Sequence, residues 1–232
     1  GYSVEEVVAA SVAVAKRACK GTDAKVALDI GPTGKMLRPY GDLDFEDAVT
    51  LFSKTVKLGV KYGVDLIIIE TMNDSYETKA AVLAAKENSN LPVFATNVYD
   101  AKGKLMTGAD AKAMVAMLEG MGVDALGANC SLGPAQLRGV VEDLLACASI
   151  PVALKPNAGL PKAVDGKTVF DITYKGFAQN LADMMKSGVH LAGGCCGTTP
   201  KYMAEMIKRA KGNVLVLAHR HTLINQHKEL LN

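Results

Sequence analysis

The 232 residues include 49% hydrophobic and 22% charged side chains and carry a net charge of +2, an ordinary globular balance sized for one large α/β domain or two small ones. So small a charge, with scattered Lys and Arg and no aromatic-interleaved basic stretch, argues against nucleic acid as a partner. The longest apolar run, 64–69, is interrupted by Asp65 and is far too short to cross a membrane. Five cysteines, an odd number with no leader-like stretch at Gly1, point away from a disulfide scaffold and toward a reducing, cytoplasmic setting.

In chain order, apolar residues at helical spacing predict a helix over 4–20, with Gly21 as its C-cap. A short strand over 26–30 runs into the turn Gly31-Pro32-Thr33-Gly34-Lys35. A helix over 44–61 follows, with Asp44 as N-cap. Residues 64–70 are almost continuously apolar, the pattern of a strand buried on both faces. The cycle then repeats: helix 75–87, strand 92–97, a polar loop, helix 110–121, strand 123–129, helix 134–147, strand 151–156, a long loop from Asn157, helix 175–187 and strand 189–194. Thr199 and Pro200 open a last helix as N-cap and first-turn proline.

Alternation of strand and helix indicates a parallel sheet with covering helices. The informative polar residues fall at the C-terminal ends of six strands: Asp29, Glu70, Asn97, Asn129 with Cys130, Asn157, and Cys195 with Cys196. Bringing all of them to one point suits a (β/α)₈ barrel better than an open doubly wound sheet. No linker interrupts the chain, so 1–232 reads as a single domain.

The chemistry concentrates in three thiols. Cys130 and the pair Cys195-Cys196 each end a strand and enter a Gly/Pro turn. Together they could hold one zinc ion and leave its fourth position open, the mark of a catalytic zinc. Consecutive strand residues point to opposite faces, so the vicinal pair can share a metal only where the backbone leaves strand geometry. Gly193, Gly194 and Gly197 are expected to supply the unusual dihedrals. The competing reading of these thiols is a strained vicinal disulfide or plain core. For Cys19 and Cys147, on helical segments, buried core is the expectation.

Gly127-Ala128-Asn129-Cys130 and Gly193-Gly194-Cys195-Cys196-Gly197-Thr198-Thr199-Pro200 resemble the homocysteine-binding domain of the homocysteine S-methyltransferases. Residues 28–35, Ile69-Glu70-Thr71-Met72 and Lys155-Pro156-Asn157-Ala158-Gly159 sharpen the match. They bring it closer to the cobalamin-dependent methionine synthases than to the betaine-dependent enzymes. The resemblance covers residues 4–211 in unbroken order. It implies a zinc-bearing (β/α)₈ barrel with Cys130, Cys195 and Cys196 as metal ligands. It also implies Glu70 as the carboxylate that holds the substrate ammonium, and Asn157 as a strand-end residue near the substrate. The activity implied is methyl transfer to the thiol of homocysteine, giving methionine. The donor implied is methylcobalamin, carried by a separate corrinoid domain or protein, since no Asp-x-His-x-x-Gly stretch is present.

Against the family pattern, the first strand with its Asp-Gly-Ala-x-Gly-Thr-like loop and the second strand are missing, so the barrel is expected to be N-terminally truncated, with six strands instead of eight. Two exposed sheet edges would favour a homo-oligomer or a covering segment. Residues 212–232 form an atypical tail, with an apolar stretch at 214–218 and His219, His221 and His227 after it. Two alternatives stand beside the enzyme reading: a non-catalytic module of a larger assembly whose zinc is structural, and a thiol methyltransferase with another acceptor.

Overall fold

The computed structural model describes residues 1–209, so the tail with its three histidines lies outside the described residues. The elements run α1 (Val4–Cys19), β1 (Ala27–Ile30), α2 (Phe45–Tyr62), β2 (Leu66–Met72), α3 (Ser75–Asn88), β3 (Val93–Asn97), α4 (Ala111–Gly120), β4 (Ala125–Asn129), α5 (Arg138–Cys147), β5 (Val152–Lys155), β6 (Pro161–Val164), β7 (Lys167–Phe170), α6 (Tyr174–Lys186), β8 (Leu191–Ala192) and α7 (Pro200–Arg209). Local chemistry accounts for the helix starts. Ser3 and Glu6 form a reciprocal capping box on α1, and the side chains of Asp74, Asp110 and Thr173 accept backbone N–H bonds at the starts of α3, α4 and α6. Asp44 occupies the N-cap position of α2 without such a bond and pairs instead with Arg38.

Six strands form one parallel sheet in the order β1-β2-β3-β4-β5-β8. Each crossover steps one strand further in the same direction, whereas a doubly wound sheet reverses direction at its middle. This is the winding of a (β/α) barrel, and among the described residues β1 and β8 stand at its two edges. The core is aliphatic: Ile67 and Ile69 of β2, Leu126 of β4 and Leu154 of β5 are fully buried, and every residue of β4 is buried. Gly127 lets β4 and β5 approach, since a Cβ there would lie 1.8 Å from the Ala153 carbonyl oxygen.

One device recurs at the N-terminal ends of the strands. Gly63-Val64-Asp65, Gly122-Val123-Asp124 and Gly188-Val189-His190 each place a left-handed glycine after a helix, then a buried valine, then an exposed polar residue. The polar side chain accepts the backbone N–H of the residue that opens, or directly precedes, the neighbouring strand. Asp65 takes Val26 at 2.7 Å, Asp124 takes Val93 at 2.8 Å, and His190 takes Val152 at a longer 3.4 Å.

Three expectations need correction. The long loop after Asn157 contains an antiparallel hairpin, β6–β7, whose two-residue turn has both Asp165 (φ 49°) and Gly166 (φ 72°) left-handed. That is the dihedral requirement of the tight hairpin turn. Helix α5 begins at Arg138 rather than at Pro134, because residues 134–137 are spent in turns after the Cys130 loop. Cys147 is exposed rather than buried, while Cys19 packs partly against the core.

Candidate metal centre

Strand β4 delivers Cys130 one residue past its last ladder pair. There the chain turns sharply, with Cys130 (φ 63°) and Ser131 (φ 62°) both left-handed. Such a conformation costs a non-glycine residue about 1–2 kcal/mol, so the surroundings must hold it. The Cys130 N–H donates to the Lys155 carbonyl at 3.0 Å, and the Ser131 hydroxyl to the Tyr99 carbonyl at 3.2 Å.

The vicinal pair follows β8 in a turn, as its chemistry requires. Cys195 N–H donates to the Pro156 carbonyl (2.9 Å), and the Thr198 hydroxyl closes onto the Cys195 carbonyl (2.6 Å). Of the three glycines, only Gly197 (φ 79°) is left-handed, with Phe170 against it. Gly193 and Gly194 serve by closeness instead: a Cβ on either would lie 3.1 Å from the Lys155 stem or 2.6 Å from the Thr198 methyl.

The three sulfurs lie within 4.8 Å of one another, and Cys130 Sγ is 3.8 Å from Cys196 Sγ. Zinc–sulfur bonds of about 2.3 Å at tetrahedral angles put neighbouring sulfurs about 3.8 Å apart, so the donor set fits such an ion. Among the described residues this is the one cluster of three Cys, His, Asp or Glu side chains spaced for a metal. Metal-free, the thiols titrate together. Cys130 is drawn down to about 5, chiefly by the Cys195 thiol donating to it. Cys195 is pushed up by that same bond and by burial, and Cys196 by burial and then by the charge on Cys130.

Two asparagines orient the cluster. Asn157, 4% exposed, accepts the Cys196 N–H at 3.1 Å, and its amide also helps to lower Cys130. Asn129, fully buried, was not singled out from sequence as a site residue, yet it ties the mouth together. Its Oδ1 accepts the Thr71 N–H and the Thr96 hydroxyl, each at 2.8 Å. Its Nδ2 donates to the Thr71 hydroxyl at 2.8 Å and points at Cys195 Sγ from 3.9 Å. Thr71 needs that hold, being left-handed (φ 62°) at the register break of β2. The break turns Glu70 into the mouth, where it forms an ion pair with Lys155. Lys155 is the second residue that sequence reasoning passed over.

The homocysteine S-methyltransferase family model matches residues 1–210. The chain belongs to the homocysteine S-methyltransferase family. A curated relative in this family, methionine synthase of Mycobacterium leprae, is 30% identical over 201 residues, which are 83% of this chain and 17% of that protein. The chain thus spans about a sixth of the length of that relative. The metallated form of the homocysteine methyltransferase MmuM from Escherichia coli superposes with a TM-score of 0.73 at 23% identity, over 89% of this chain and 71% of that one. Its apo form gives 0.70 at 22%, over 90% and 76%. These structural likenesses establish the family's barrel fold for the described residues. No helix among them is long and apolar enough to cross a membrane.

Proposed function

We propose that the chain binds one zinc ion through Cys130, Cys195 and Cys196 and methylates the thiol of homocysteine to give methionine. The observation that carries this reading is the sulfur triangle at zinc spacing, with Cys196 exposed, so that one side is left for a fourth ligand. Zinc bound there would supply Lewis acidity, so that an incoming thiol, whose free pKa is about 8.5, lies as a thiolate at neutral pH.

The chain's own residues do the rest. Asn129 points its amide at the Cys195 sulfur, and Asn157 holds the Cys196 backbone N–H and reaches the Cys130 thiol. Glu70, half-buried at the mouth, is the carboxylate that would hold the substrate ammonium. The substrate sulfur attacks the methyl carbon, the carbon–donor bond breaks, and the donor leaves with that electron pair. No side chain is needed as a general base. Methylcobalamin on a separate domain or protein is the donor this reading implies, in keeping with the much greater length of the mycobacterial relative.

The test is zinc stoichiometry of the purified chain beside Cys196→Ala, with homocysteine methylation assayed from methylcobalamin. One zinc per chain and transfer in the parent, with both lost in the variant, are expected. Transfer retained by Cys196→Ala sinks the mechanism. Zinc retained without homocysteine binding would favour a structural metal.

A further inference from the structure

Resting on the reading of the mouth as a homocysteine pocket, we propose that Lys155 determines specificity by taking the carboxylate of the amino-acid thiol, exchanging it for Glu70. Glu70 comes from β2 and Lys155 from β5, with β3 and β4 between them, so the pair reaches across the mouth. Their side chains are 27% and 15% exposed. Lys155 is bound into the thiol frame. Its carbonyl holds the Cys130 N–H, its stem lies against Gly193, and it pairs in register with Asn129, which contacts Cys195.

A partly desolvated ion pair is costly to break unless each charge finds a replacement. An amino-acid zwitterion brings both: its ammonium replaces Lys155 at Glu70, and its carboxylate replaces Glu70 at Lys155. A thiol with an amine alone leaves the Lys155 ammonium unpaired. A thiol with a carboxylate alone leaves Glu70 unpaired. The pair therefore admits thiols that carry both charges and penalises those that carry one.

The test is calorimetric titration of the zinc-loaded chain with L-homocysteine, 3-aminopropane-1-thiol and 4-mercaptobutanoate, repeated on Lys155→Met and Lys155→Arg. The parent is expected to prefer homocysteine over each single-charge thiol by at least about tenfold, the worth of one charge-assisted bond. Lys155→Met is expected to lose about 10- to 100-fold in homocysteine affinity. It should bind the aminothiol as well as the parent does or better, because Glu70 is released, and Lys155→Arg should keep the preference. A parent without the preference overturns the assignment before any variant is made. So does a Lys155→Met chain that weakens all three thiols equally, the signature of a merely structural ion pair. Homocysteine binding with the preference intact in Lys155→Met removes this assignment and leaves the functional reading standing. A parent that binds none of the three removes both.

Discussion

Replacing Asn129 by alanine tests the frame on which the centre depends. The change deletes three bonds of 2.8 Å and leaves the Thr71 N–H and the buried Thr96 hydroxyl without their acceptor. A net bond is worth about 1 kcal/mol and a stranded buried donor about 1–3, so a loss of about 3–5 kcal/mol is expected. For a domain of this size that is a drop of roughly 10 °C in Tm, read from thermal unfolding by circular dichroism. Because Asn129 also aims at Cys195, zinc affinity should fall by about 10- to 100-fold, read by competition with a chromophoric chelator. Asn129→Asp separates the two effects. It keeps both acceptors, so much of the stability should return, but it sets a carboxylate beside Cys195 and zinc binding should stay impaired. An Asn129→Ala chain that melts within about 2 °C of the parent, with unchanged zinc affinity, would refute the reasoning.

Gly127→Ala forces a methyl group to 1.8 Å from the Ala153 carbonyl, and overpacking of a tight site costs about 1–3 kcal/mol or more; a parent-like denaturant midpoint would contradict the close approach of β4 and β5. His190→Asp should shorten the weak contact to Val152 N–H and raise stability by about 0.5–1.5 kcal/mol, measured by urea unfolding. The Tyr99 hydroxyl is buried with no hydrogen-bond partner among the described residues, and burial followed by the nearby Asp110 carboxylate pushes the phenol up. Its folded pKa thus lies above the unfolded value of about 10, so its contribution is full below that pH and is lost as the pH rises beyond it. Tyr99→Phe should therefore melt like the parent or slightly higher at pH 7 and lose less stability in alkali; an unchanged alkaline profile would count against the assignment.

The sequence disclosed most of this architecture through its apolar runs. The six strands of the sheet are the six segments whose near-continuous hydrophobicity ends in a polar residue and a turn, and their winding followed from the strand-helix alternation. The cysteines were legible because a thiol between a buried strand and a glycine turn has few structural reasons to be there. The hairpin was not, since residues 161–169 are exposed throughout and lack an apolar alternation, although Asp165-Gly166 carried the turn signal. The Glu70–Lys155 pair joins residues 85 positions apart. A strand-end lysine looks the same in sequence whether it faces solvent or crosses a barrel mouth. Asn129 stood beside a candidate ligand in the chain, but its task is fixed by Thr71, Thr96 and Cys195, which only the fold brings around it.

The thrice-used Gly-Val-Asp or Gly-Val-His clamp sits at the opposite end of the sheet from Cys130, Cys195, Cys196 and Glu70. Stability and chemistry are therefore adjusted at different poles of the same strands. The floor of the barrel can be tightened, clamp by clamp, as a maintenance operation that leaves the strained, charge-laden mouth untouched. A chain hardened in this way would have stability in reserve to absorb the cost of substitutions at the mouth.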